Sequence, residues 1–457
     1  MRSVLFLALS SCAVCAVASD GYLDTSFGTG GRAAPLTPLA NEQYGSGATA
    51  VMTQPDGKIL IAGAVGDASN TAYVRVIRLL GDGTLDASFG SAGIAQVNAG
   101  SVSATNSTFA PVKMARAADG SLFVSVMTGL VSASVTKLTA AGQPVAAFGT
   151  GGVSTAMQPP GGTQAFALAD LGISPSGAVL LAGTYRANSP SSLGTVRVVA
   201  LNPTTGAVLA TSTLGSETGD SAAAAVVQGT GFLVAGSGNS HCLLERVQYT
   251  SGAFSTDAGF GGGTGRVEVS VASGTTRCRA VALQHNGAIL YAGAINKPNQ
   301  SQNVLIGRLL ANGSPDPSYN SGTPFQAYFE SSQPFYENYA TAVVAQDDGK
   351  VLVGGTASPG PTASGRGNYE MGVMRFMATG AYDNSFQGNT DGSQFATAMV
   401  GFEALSGNSS DDFGYALTLS AGRPLIVGYA SSNGFNTPVR YVVARLDNDP
   451  IYAAGFE

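Results

Sequence analysis

A chain of 457 residues with a formal net charge of -6 and only 11% charged residues offers no basic stripe to neutralise phosphates, which excludes a nucleic-acid partner. Its 44% hydrophobic residues and 62 glycines, placed at turns rather than in low-complexity runs, exclude a disordered chain and suit many short strands. Beyond the first residues nothing approaches about eighteen uninterrupted apolar positions, so no membrane span is expected.

The chain opens with Met1-Arg2, a short apolar stretch to Val17, and the small-x-small triplet Ala16-Val17-Ala18. That pattern is a secretory signal over residues 1–18, cut before Ser19, and it predicts an exported protein, whether periplasmic, extracellular or at the cell surface. The alternative is a lipoprotein signal, with Leu9-Ser10-Ser11-Cys12 as lipobox. Cys12 and Cys15 leave with the signal, and Cys242 and Cys278 remain. In an oxidising compartment an even pair is expected to form a disulfide; the alternative is two buried free thiols.

The first repeat unit runs from Gly28 to about Leu80. Arg32–Leu36 is a candidate first strand and Ala48–Thr53, which alternates, a second. Gln54-Pro55-Asp56-Gly57 turns the chain, because proline presets φ and the glycine accepts the positive φ that a type I hairpin turn with a bulge requires. Lys58–Ala62 is the third strand, ending at Gly63. Tyr73–Leu79 is the fourth, alternating around Arg75 and Arg78.

The same strand-turn-strand phrase returns with its turn glycine at 57, 120, 177, 231, 287, 349 and 422, gaps of 63, 57, 54, 56, 62 and 73 residues. Fourth strands follow at Ser134–Leu138, Thr195–Leu201, Leu243–Tyr249, Val304–Leu310, Gly372–Phe376 and Tyr441–Leu446. Four strands repeated seven times predict an all-β fold, a seven-bladed β-propeller of four-stranded antiparallel blades over residues 19–447. The alternative, an open β-solenoid, would lack the recurring hairpin turn. Because the repeats end on a fourth strand, Arg32–Leu36 has no preceding blade and is expected to close the ring against the last one, removing two exposed edges. Residues 448–457 form a C-terminal tail outside the repeats.

A second phrase links the units: Leu23-Asp24-Thr25-Ser26-Phe27-Gly28, Leu85-Asp86-Ala87-Ser88-Phe89-Gly90, Pro315-Asp316-Pro317-Ser318-Tyr319 and Tyr382-Asp383-Asn384-Ser385-Phe386, with looser forms at 145–149 and 257–261. Around Gly206–Gly215 it is lost. The pairing of this connector with an Asp-Gly-Lys-Ile-Leu hairpin resembles the delta-60 repeat family of secreted and surface bacterial proteins. The resemblance covers most of the chain after residue 18; it implies β-propeller repeats and is nearly silent on activity.

Alternating strand direction puts the tight turns and the connectors on one face and loops of differing length on the other, the usual place for binding. Aromatic residues precede the second strands there: Tyr44, Phe109, Phe166, Tyr336, Tyr339, Phe413 and Tyr415. Aromatics beside amides suit a protein or surface glycan; the plainer alternative is that the rings wedge between blades as core. The connector aspartates Asp24, Asp86, Asp316 and Asp383 are too sparse for a calcium ladder and are read as bonding the backbone of their own turns. His285 lies in a hairpin turn and His241 precedes Cys242, which leaves no triad or zinc pattern. No catalytic residue, metal ligand or cofactor is assigned, and a monomer is expected. The leading expectation is a non-enzymatic protein- or glycan-binding propeller; the alternatives are a propeller hydrolase or lyase with an axial site, or a structural envelope component.

Overall fold

A computed structural model of the chain describes residues 20–448 except 36–41, 46, 68–70, 102–110, 129–131, 158–163, 188–193, 216–218, 273, 299–301, 330–336, 358–360, 363–364, 367–368, 389–395, 403–409 and 433–439. The expected signal and nearly all of the tail therefore lie outside the described residues. Seven antiparallel four-stranded sheets form a ring, a seven-bladed β-propeller. Its innermost strands are Ala50–Thr53, Val112–Arg116, Gln164–Ile173, Ser221–Gln228, Thr275–Leu283, Asn338–Ala345 and Ser410–Ser420. Each touches the next, and the last touches the first, so the circle closes. No helix among the described residues is long and apolar enough to cross a membrane.

Each blade takes three strands from one repeat and its outer strand from the next, which leaves the N-terminal strand to complete blade 7. Arg32–Ala33 pairs antiparallel with Arg440–Arg445, in the register Arg32 to Ala444 and Ala33 to Val443. The closing strand is shorter than the expected Arg32–Leu36, and a bridge between Leu23 and Leu446 extends the closure toward the connector. Blades 1 and 4 depart from the plain pattern. In blade 1 both Glu42–Gly45 and Ala50–Thr53 pair with Ile59–Asp67. In blade 4 both Ala253–Thr256 and Arg266–Val269 pair with His241–Thr250.

The core lies between blades, not within them. Leu60, Val74 and Val76 of blade 1 pack with Leu122, Val124 and Val126 of blade 2, all buried. Burial of such a side chain contributes about 1.5–3 kcal/mol, so a wedge gains its stability only once neighbours cover both flanks.

A clasp repeated on the turn-rich face locks neighbour to neighbour. In blade 5, Arg308 at the end of the third strand donates from Nε to Asp316 Oδ2 at 2.7 Å and from Nη1 to the Ala378 carbonyl of blade 6 at 3.0 Å. Asp316 Oδ1 takes the backbone N–H and hydroxyl of Ser318, and the guanidinium carbon stands 4.6 Å over the Tyr319 ring. The same set recurs as Arg78 with Asp86 and Phe89, Arg375 with Asp383 and Phe386, and Arg445 with Asp24 and Phe27, and, with Gly259 in place of the serine, as Arg246 with Asp257 and Phe260. The connector aspartates thus bond their own turns as expected, and their second oxygen holds an arginine. Blade 2 substitutes Lys137, which reaches the Pro203 carbonyl at 2.9 Å and lies 5.3 Å from the Phe123 ring. Blade 3 has Ala200 at this place and a turn built on Asn202, where the connector phrase is lost.

Candidate functional site

The opposite face is where the inner strands begin, and there a shared irregularity sets the geometry. The inner strands of blades 3 to 7 each carry a one-residue bulge near the start, after Leu168, Ala222, Cys278, Ala340 and Gly414. A bulge bends the strand and re-aims the extra side chain. In blades 3 and 4 that residue is Ala169 or Ala223; in blades 5, 6 and 7 it is Arg279, Thr341 and Tyr415. The glycine that ends each hairpin phrase makes the bulge possible. A Cβ on Gly293 would lie 1.9 Å from the Arg277 carbonyl oxygen, and one on Gly355 2.1 Å from that of Tyr339.

Buried polar residues anchor the start of the strands. The Thr276 hydroxyl accepts from the Cys242 N–H at 2.8 Å, Asn338 Oδ1 from the Phe329 N–H at 3.0 Å, and Asp412 Oδ2 from the Phe402 N–H at 2.7 Å, each reaching back to the preceding blade. Beside Thr276, Cys242 of blade 4 and Cys278 of blade 5 form a disulfide with Cα atoms 4.7 Å apart.

Over blades 5 to 7 these devices bring together aromatic rings and guanidinium groups. The Arg279 guanidinium carbon lies 4.7 Å from the Tyr339 ring centroid, and Arg279 Nη2 stands 3.4 Å from Gln302 Oε1. Phe413 and Tyr429 stack at 4.9 Å, Tyr369 and Phe413 at 4.8 Å, and Tyr415 and Tyr429 at 5.7 Å. The Tyr369 hydroxyl donates to Glu337 Oε2 at 3.0 Å, and its backbone N–H donates to Asp411 Oδ1 at 3.1 Å. Burial raises the Tyr339, Tyr415 and Tyr429 phenols above their usual value, reinforced for Tyr415 and Tyr429 by neighbouring phenols, so all three remain protonated donors. Burial also lowers Arg279, which arginine's high intrinsic pKa leaves charged.

Of the seven aromatics singled out from sequence, the structure unites three. Tyr339 and Tyr415 are half-buried at the mouth, while Phe413 is buried in the aromatic cluster beneath it. Phe109 and Tyr336 lie outside the described residues; for Tyr44 and Phe166 only the strand backbone is described. Arg277, Arg279, Tyr369, Tyr429 and Glu337 were missed. Numbering the bulge position across repeats would have exposed Arg279, because it stands where the two preceding blades have Ala169 and Ala223. His241 stands alone, its Nδ1 3.6 Å from Glu268, and His285 is an exposed turn residue.

Fold and site together define a seven-bladed β-propeller with a polar aromatic mouth on its loop face. Residues 54–89, 284–319 and 346–386, the hairpin-to-connector portions of three repeats, match a family described as "Domain of unknown function (DUF5122) beta-propeller". No curated protein matches the chain. Among solved structures it is similar to a Penicillium chrysogenum alpha-L-arabinanase complexed with arabinobiose, at 11% identity over 73% of this chain and 92% of that one, with a TM-score of 0.40. It is also similar to polysaccharide lyase Uly1, at 10% identity over 88% of this chain and 90% of that one with a TM-score of 0.42, and to Drosophila Semaphorin 2a, at 8% identity over 90% and 76% with a TM-score of 0.43. At these identities and scores none carries an argument about activity.

Proposed function

We propose that this protein is an exported propeller of the delta-60 type that works without catalysis, binding a protein or surface glycan at the loop-face mouth over blades 5 to 7. The observation that carries this reading is the set of Arg279, Tyr339 and Tyr415 on neighbouring inner strands. Arg279 and Tyr415 occupy the bulge position, where blades 3 and 4 have Ala169 and Ala223, and Tyr339 lies two residues before the bulge of blade 6, where they have Ala167 and Ser221. Large rigid rings with polar tips give contact area at small entropic cost, and a guanidinium adds directed donors.

A hydrolase that works through paired carboxylates would need one free to move a proton. At the mouth, Glu337 and Asp411 are each engaged by Tyr369. The test is a glycan array and a pull-down with the protein lacking residues 1–18, each repeated with Tyr415→Ala. Ligands retained by the parent and lost by the variant support the reading. Ligands retained equally by both would place binding elsewhere, and turnover of a captured glycan would replace binding by catalysis.

A further inference from the structure

The mouth also carries a chemical preference, and this inference rests on the binding role proposed above. Strand alternation and the bulge together fix where its arginines point. Cys278 is held toward blade 4 by its disulfide to Cys242. Arg277, one residue before Cys278, therefore faces the other way, toward blade 6, and the bulge turns Arg279 to that side as well, where it stacks on Tyr339.

Seven guanidinium groups among the described residues sit on carboxylates: those of Arg78, Arg246, Arg266, Arg308, Arg375, Arg423 and Arg445. Arg279 makes no ion pair among the described residues; its polar contact is the 3.4 Å approach to a neutral glutamine. Arg277, exposed one turn of the pleat nearer the loops, makes none either. The acids at hand, Glu337 and Asp411, are held by Tyr369 instead. A half-buried cation with its carboxylates turned elsewhere is an incomplete pair, and a planar guanidinium is shaped to take a carboxylate or sulfate in two parallel hydrogen bonds.

The remaining groups at the mouth are phenol hydroxyls. None of the exposed large apolar side chains among the described residues lies there. They occur at connectors and outer strands, for example Leu80, Leu310, Met377 and Tyr382. A protein interface would want an apolar centre, whereas a ring of hydroxyl and guanidinium donors suits a sugar.

We infer that the mouth over blades 5 to 7 takes an acidic saccharide, with a carboxylate or sulfate on Arg279 and Arg277 and sugar hydroxyls on the phenols of Tyr339 and Tyr415.

Titration calorimetry of the folded protein with an oligogalacturonate, its methyl-esterified counterpart, a sulfated tetrasaccharide, cellotetraose and a glutamate-rich peptide tests this. The expected result is binding of the uronate or the sulfated sugar, with the neutral sugars weaker by roughly tenfold to a hundredfold, and a similar loss on Arg279→Gln. The two acidic arms tell carboxylate from sulfate. Circular dichroism melting checks that Arg279→Gln is folded, and Arg279→Lys should restore part of the affinity. Equal binding of neutral and acidic sugars that is lost in Tyr415→Ala would overturn the acidic preference and leave the mouth as the binding site. Preference for the peptide would overturn the saccharide. If no probe binds, or binding survives both the Arg279→Gln and Tyr415→Ala changes, the inference fails, and in the second case the choice of site fails with it.

Discussion

The two faces of the ring use the same residue types to opposite ends. On the turn-rich face five arginines are each closed by an aspartate and an aromatic ring, four of them also by a serine hydroxyl and four by a carbonyl of the next blade. On the loop face Arg279 has an aromatic ring and no carboxylate among the described residues. Satisfied charge holds wedges together, and charge left unclosed is available to something outside the chain.

Breaking the clasp is expected to have the largest effect. Arg308→Ala leaves Asp316, 4% exposed, as a buried unpaired carboxylate, and removal of one partner of such a pair costs about 3–5 kcal/mol. A chemical denaturation series should show the loss, and Arg279→Ala should cost far less. Removing the disulfide comes next. Its 36-residue separation corresponds to about 4 kcal/mol by loop entropy, part of which native-state strain or residual structure can cancel. Cys242→Ser with Cys278→Ser should lower the melting temperature, and by releasing the Arg277 and Arg279 strand should weaken any ligand of the mouth as well. Gly293→Ala sharpens the link between bulge and site: a Cβ 1.9 Å from the Arg277 carbonyl forces the strand to move, at a cost of about 1–3 kcal/mol.

The smallest expected effect is that of acid. For Asp316 burial pushes the pKa up, but the Ser318 bonds and Arg308 outweigh it, so the folded value lies below the ordinary 3.8. For Asp86 the Ser88 hydroxyl is the main cause of a similar lowering. A lowered folded pKa contributes stability that is complete above the unfolded value and is lost as pH falls through the folded one. Melting temperature should therefore hold down to about pH 4 and fall below it, less steeply in Arg308→Ala. Glu245 acts in reverse. Burial raises it despite Arg266, so it costs stability as pH rises through its raised value, and Glu245→Gln should be the more stable above that value.

The fold was legible because it is written seven times. Each hairpin glycine and each connector serine-phenylalanine marks a place where backbone geometry admits few residues, and closure by the first strand follows from counting strands. The clasp was half legible. Arg78 and Asp86, Arg308 and Asp316, and Arg375 and Asp383 all stand eight residues apart, yet sequence alone showed only the local turn and not the arginine folding back on it. The mouth was least legible, because Arg279, Tyr339 and Tyr415 come from three blades, 60 and 76 residues apart in the chain. Arg279 also sits in a strand that reads as ordinary core, and only the bulge turns it outward. Phe413 shows the limit of composition: an aromatic before an inner strand can be mouth or core, and burial decides it as core.

The most direct test compares two arginines of one blade. Calorimetric melting of Arg308→Gln and Arg279→Gln beside the parent protein should show the Arg308 variant melting markedly lower and the Arg279 variant unchanged. Equal losses, or a greater loss for Arg279, would contradict the division between a face that holds the ring and a face left open to bind.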